Sequence, residues 1–286
     1  MPPDTPKTSN SAAPVPRPKY RVRFRKAGDL RFVSHHDLMH VFERMFRRAD
    51  LEVPVTQGFN PRPRIWFALS LALGIAGLRE IVEFELVESL PIDEVTRRLT
   101  RQCPPGLELF DLRAIESRMA ARVRRAWYGL EAIGAAHTDQ GAAHGESGAA
   151  PLPLTSCAAL QCRIDEFLAR PHHFVQRTRP HPKRMDVRPY VSELHMRGGR
   201  IEMALWITPN GAARPEEIAA GLGLRAWLDD GGVIERTDLE VYDELPPGID
   251  GPPPMQAAEE ITANEPVPEI AARPTAIISS PMSFDS

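Results

Sequence analysis

The chain has 286 residues, 42% of them hydrophobic and 26% charged, enough for one large or two ordinary domains with a buried core. No apolar run has the length to span a bilayer, and the N-terminus has neither a charged n-region nor an apolar h-region. The expectation is therefore a cytoplasmic protein with no membrane partner. Three cysteines, Cys103, Cys157 and Cys162, are too few for a disulfide framework and fit reduced, partly buried thiols.

The net charge of −3 hides a segregation. Residues 17–64 carry 12 Lys/Arg against 5 Asp/Glu, whereas residues 243–286 carry 8 acidic residues against one arginine. A basic end and an acidic tail in one chain point to a polyanionic partner, with a merely solvated basic face as the alternative.

Residues 1–19, rich in Pro, Ser, Thr and Ala, predict a disordered start. A first unit follows over 20–114. Tyr20–Lys26 alternates Tyr20, Val22 and Phe24 with Arg21, Arg23 and Arg25, the period of a strand with one wet, strongly positive face. Ser34 reads as the N-cap of a helix, with Asp37 at the third position of a capping box. Leu38, Val41, Phe42, Met45 and Ala49 share one helical face, His40, Arg44, Arg47 and Arg48 the polar side, and Asp50 ends it. Strands fit Ile65–Leu71, Glu80–Val87 and Leu107–Arg113, and a helix fits Pro91–Gln102. The order is β-α-β-β-α-β.

A second unit over 115–242 repeats that order less cleanly. Arg122–Ile133 reads as a strand, 134–151 as a flexible low-complexity loop and Leu154–Ala169 as a helix. Phe174–Arg179 reads as a strand, and Val187–His195 with Arg200–Thr208 as a hairpin turned at Gly198–Gly199. Pro215–Leu222 is a short helix and Val233–Val241 a closing strand; the acidic, Pro-rich residues 243–286 read as a disordered tail. The expected fold is α+β, two ferredoxin-like halves in tandem.

Three stretches could bind an anion. In Gln57-Gly-Phe-Asn-Pro-Arg-Pro-Arg64, two prolines stiffen the display of Arg62 and Arg64 beside Gln57 and Asn60; a rigid connector is the alternative. His35, His36 and Asp37 sit at a helix start, whose free N–H groups favour anions, with Lys26 and Arg31 on the approach; plain capping is the alternative. In the second unit, Lys183, Arg184 and Arg188 lie beside Asp186, with Arg214 further on. They form either a salt-bridge cluster or part of a basic cleft shared between the halves.

Cys157 and Cys162 with His172, His173 and His181 match no zinc spacing. The sequence has no Gly-rich phosphate loop, no G-x-S-x-G elbow and no cluster-binding cysteine triplet. No catalytic residue, metal ligand or cofactor is assigned.

The same stretches carry a resemblance. The run Lys26-Ala-Gly-Asp-Leu-Arg-Phe-Val-Ser-His-His-Asp-Leu38, then Thr56–Arg64, Leu71-Ala-Leu-Gly74, Glu80, Phe84-Glu-Leu86, Met185-Asp-Val-Arg-Pro-Tyr190 and Arg236-Thr237, resembles the radical-SAM-linked family of bacterial proteins over residues 20–241. Two positions depart from its pattern: His36 stands where the family has an apolar residue, and Arg62 where it has His. The resemblance implies a partner, a separately encoded or fused radical SAM protein, and gene neighbours that include ribosomal proteins. It implies no reaction.

Three functions are compatible with this reading. The first is a non-catalytic module presenting an RNA or ribosomal substrate to a separate radical SAM enzyme. The second is an RNA-modifying or RNA-processing enzyme, with Asp37 or Asp186 as nucleophile or base and His35 assisting. The third is a structural partner of the radical SAM protein that touches no nucleic acid.

Overall fold

The computed structural model describes residues 17–116, 119–131, 157–178, 182–249 and 251–252, together with the backbone of 259–260. The expectations for the first residues of the chain, for the loop 134–151 and for most of the acidic tail lie outside the described residues.

The first half runs β1 (Lys19–Lys26), α1 (His35–Arg48), β2 (Ile65–Phe67), β3 (Ala76–Glu85), α2 (Ile92–Thr100) and β4 (Leu107–Ile115). β3 pairs antiparallel with β1 on one edge and with β2 on the other, and β4 pairs antiparallel with β1. The spatial order is therefore β4-β1-β3-β2. Alternation places Tyr20, Val22 and Phe24 of β1 on one face with Val82 and Phe84 of β3, under Leu38, Phe42, Met45 and Phe46 of α1 and Val95 and Leu99 of α2. Phe24, Phe42 and Phe67 meet edge to face, with centroids 5.3–5.8 Å apart. α1 starts as its sequence dictates, the Ser34 hydroxyl accepting from Asp37 N–H, and it ends at Asp50, whose φ of 54° leaves the helical region.

The second half runs β5 (Val123–Glu131), α3 (Cys157–Ala169), β6 (Phe174–Arg177), β7 (Lys183–Asp186), β8 (Val191–Arg197), β9 (Arg200–Trp206), α4 (Pro215–Gly221), α5 (Arg225–Asp229), β10 (Ile234–Val241) and β11 (Glu259–Glu260). Strands β10-β5-β9-β8 follow in that order, all antiparallel. β6, β7 and β11 form a separate three-stranded sheet, so the strand expected at Phe174–Arg179 stands outside the main one. The result is a mixed α+β molecule around one large, mostly antiparallel sheet of eight strands.

The two sets of strands join through β3 and β10, which pair in parallel over only Glu235↔Ala76 and Arg236↔Gly77. A buried ion pair reinforces this short seam: Arg236 donates to Glu80 from Nε at 2.7 Å and from Nη2 at 2.5 Å. Gly77 is required there, because a Cβ at that position would lie 2.5 Å from Cγ of Glu80.

The other face of β1 corrects the sequence reading. Arg21, Arg23 and Lys19 are not wet; they are buried. Arg21 binds Glu83, Asp243 and Glu244, Arg23 binds Asp238 and Glu244, and Lys19 binds Glu83 at 2.7 Å. Only Arg25 stays exposed, paired with Glu108. The first two residues of the stretch counted as acidic tail, Asp243 and Glu244, thus belong to the folded body, in a helical turn over Tyr242–Glu244. Shortening the chain from Glu244 to Val241 should cost on the order of 3 kcal/mol by leaving buried guanidinium groups short of carboxylates. Equal urea midpoints for the two chains would show that these carboxylates carry no stability.

Candidate functional site

Several of the resemblance blocks converge on the N-terminal end of α1. Lys26, at the end of β1, is fully buried, and its Nζ donates to the Val33 carbonyl at 2.6 Å. Arg236 reaches the same region from β10 and donates to the carbonyls of Ser70 at 3.1 Å and Leu69 at 3.2 Å. The Leu71-Ala-Leu-Gly74 turn then closes onto the helix approach through Gly74 N–H to the Arg31 carbonyl at 3.0 Å. Lys26, Glu80 and Arg236 therefore place two cations against one carboxylate in a dry setting. Burial lowers the Lys26 ammonium pKa, with Glu80 opposing and Arg236 adding to the effect.

His35 opens α1 beside this cluster, its ring edge to face with Phe67 at 5.1 Å. Its pKa is depressed, first by burial and then by Lys26, Arg236 and His36. Above it the surface is aromatic and basic: Arg31 lies 4.4 Å over the Phe32 ring, Phe32 is 57% exposed and Leu73 is 65% exposed. Asp37 is a capping residue, its Oδ2 accepting from the Ser34 hydroxyl at 2.7 Å.

The Pro-Arg-Pro-Arg loop is a rigid turn held by Thr56 N–H to the Arg62 carbonyl at 2.8 Å and by Arg62 N–H to the Thr56 hydroxyl at 2.9 Å. Gln57, Asn60 and Arg62 are exposed, and Phe59 stands out at the tip. Arg64 differs from its neighbour. It pairs with Glu85 at 3.2 Å, and its Nε is buried without a partner.

In the second half the salt-bridge cluster expected in the 183–190 block is not the one the structure makes. Asp186 does not pair with Lys183, Arg184 or the Arg188 guanidinium; it accepts from His172 at 2.7 Å and from the N–H groups of His173 and Arg188. Burial works against its charge, yet these donors hold its pKa below the ordinary carboxylate value. Arg188 donates to the Leu168 carbonyl, and Arg184 stacks on Phe174 at 4.0 Å. Lys183 and Arg184 pair along β7 with the backbone of Glu260 and Glu259. Arg214 is exposed at the start of α4, its N–H bonded to Glu217. Among the described residues no hydrogen bond, ion pair or ring contact joins this block to Lys26, His35 or Arg62. The contact that bridges the two halves is made by Arg236 and Glu80. Two of the thiols also depart from expectation: Cys157 and Cys162 are exposed, while burial pushes Cys103 up to about 11.

Glu80 and Arg236 stood in the resemblance blocks without an assigned role. Their signal was weak in the sequence, because Glu80 shares its strand with Arg79, Glu83 and Glu85 and its partner Arg236 lies 156 residues away.

Two outcomes are expected. Unfolded histidine titrates near 6.5, so between that pH and its depressed native value the unfolded state binds the extra proton. Stability should fall as pH drops through this window. His35→Phe should flatten the fall, leaving the share of His173, which burial also depresses; an unchanged profile in denaturant titrations across the window would show that His35 protonates freely. Separately, Arg62→Ala should shift stability by under about 0.5 kcal/mol. Arg64→Ala should cost more, about 1 kcal/mol, through lost packing and the Glu85 bond, and equal melting points would refute this distinction.

A family model described as an uncharacterized protein conserved in bacteria matches residues 19–215. No curated protein matches the chain. Arg236, which closes the cluster, lies beyond the matched span.

Proposed function

We propose that this chain, which belongs to that family of uncharacterized proteins conserved in bacteria, is a non-catalytic module that binds RNA and presents it, or a ribosomal substrate, to a separately encoded radical SAM enzyme. The observation that carries the binding half of this reading is the convergence at the start of α1. Arg31 and the exposed ring of Phe32 lead into α1, next in sequence to Val33, whose carbonyl accepts from the buried Lys26. Single-stranded RNA is held by that combination: guanidinium groups on phosphate, and aromatic faces on bases. The enzyme partner rests on the resemblance of the motif blocks.

Two further features support the reading. The orders β4-β1-β3-β2 and β10-β5-β9-β8 are compatible with the strand order expected of ferredoxin-like units and so support the reading of two such halves. The rival enzyme reading is weakened at both of its carboxylates. Asp37 is occupied by Ser34, and Asp186 by His172 and two N–H groups that make it a poor base. The exposed Leu73, next to Gly74 whose N–H bonds the Arg31 carbonyl, favours a second reading, in which an apolar protein surface docks on the approach to α1.

Burial has removed Arg23 and Lys26 from the possible phosphate contacts, leaving Arg31, Arg25 and Arg62 as exposed or half-exposed cations near this end. Two or three contacts give a slope of log affinity against log salt of about −1.4 to −2.1. Anisotropy titrations with labelled oligouridine should find a slope at least that steep, and Phe32→Ala should cost about 1 to 3 kcal/mol of binding. A chain with no affinity for RNA at about 50 mM salt would end the RNA reading and leave the protein-docking one.

A further inference from the structure

We infer a second phosphate-binding surface, on the solvent face of α1 and the C-terminal end of α2, that tracks the backbone of single-stranded RNA without reading its bases. This inference rests on the RNA reading above and names a different face of the molecule.

The solvent face of α1 carries His36, His40, Arg44 and Arg48 at every fourth position, with Arg47 beside them, and all five are exposed. Each step of four residues advances about 6 Å along the helix, so the side chains form one row rather than a scatter. The row leads into a groove of ≈ 340 Å³ where the ends of α1 and α2 meet. Four arginines, Arg48, Arg97, Arg98 and Arg101, line this groove against two carboxylates, Asp50 and Glu94. Glu94 is already committed: it accepts from Arg97 and Arg98 at 2.6 Å each, and those two donors hold its pKa well below the ordinary carboxylate value.

Helix dipoles explain part of this, because cations are favoured at C-terminal ends. They do not explain Arg44, which stands a turn earlier, or the abundance of guanidinium groups over partners. Among the described residues the side chains of Arg44, Arg47, Arg48 and Arg101 make no hydrogen bond, ion pair or ring contact. Exposed, unpaired arginines that converge from two elements raise the local potential and attract a polyanion.

The exposed large hydrophobic side chains of the described residues include none in the last turn of either helix. Without an aromatic shelf the surface meets phosphates, not bases, and its contribution is independent of sequence. On the neighbouring flank, a groove of ≈ 670 Å³ is lined by the carboxylates Glu43, Asp50, Glu52 and Glu88 against the two arginines Arg47 and Arg98. The excess of carboxylates disfavours a phosphate chain on that flank.

The test uses the full chain and labelled oligouridine. Changing Arg44→Gln, Arg47→Gln, Arg48→Gln and Arg101→Gln together is expected to weaken binding at about 50 mM salt by at least tenfold and to flatten the salt slope by about 2 to 3. The melting point should stay within a few degrees of the parent, and Arg225→Gln, an exposed arginine on α5, should change nothing. If the fourfold variant binds as the parent does while Phe32→Ala weakens, this surface is wrong and the RNA reading stands. Should the parent bind no RNA, both fall. Tighter binding of polyglutamate than of oligouridine would assign the row to an acidic protein and overturn the inference.

Discussion

The structure depends on one buried ion pair. β3 and β10 touch over two residue pairs only, and at that point Arg236 spans 156 residues of sequence to grip Glu80. Hydrogen bonds over so short a parallel stretch would hold the strands weakly. The bidentate pair, together with the Ser70 and Leu69 carbonyls, satisfies the guanidinium almost completely. Removing either partner would strand the other charge in a dry interior, at a cost on the order of 3 to 5 kcal/mol. The same pair fixes the surroundings of Lys26, where Glu80 opposes the lowering of its pKa by burial, and hence the electrostatics around His35. The seam between the sheet's two sets of strands and the chemistry at the start of α1 are one construction.

Charge is sorted by partner rather than by position in the sequence. β1 is the most basic strand of the molecule, and its cations are spent internally on Glu83, Asp238, Asp243 and Glu244. One of these bonds joins residues 223 apart. Alternation in Tyr20–Lys26 correctly separates the apolar side from the charged side. It is silent on whether the charged side meets water or carboxylates, because the answer lies at the other end of the chain. The local excess of Lys/Arg over 17–64 therefore overstated the free positive surface near the strand.

What was legible in sequence follows the range of the interaction involved. Ser34 as cap, Asp50 as terminator, the apolar face of α1 and the Gly198–Gly199 turn are decided within a few residues, and the structure has them in place. β3 begins at Ala76, earlier than expected, because pairing with Lys26 of β1 and with β10 stabilises a stretch with weak strand patterning of its own. The separate sheet of β6, β7 and β11 needed a partner strand from beyond residue 252, which no local pattern announces. At the site, Lys26 and His35 were visible as motif residues, but their depressed pKa values come first from burial in the folded body, with a further push from Arg236 of the last strand of the main sheet.

These distances decide where a polyanion can meet the protein. Of the arginines near the N-terminal end, Arg21 and Arg23 are closed off by carboxylates and Arg64 is tied to Glu85. A guanidinium held in a buried network would have to break two or more charge-assisted bonds to reach a phosphate, a loss that the new contact does not recover. Arg31, Arg44, Arg47, Arg48 and Arg101 lack such bonds to carboxylates, and all lie on the helical side of the sheet or on the approach to α1. The sheet face opposite the helices is neutralised by its own chain, so the helical side and the start of α1 are where positive potential remains. That asymmetry is set by the acidic turn Tyr242–Glu244 folding back on β1. The segment that completes the fold also selects the face left open to a partner.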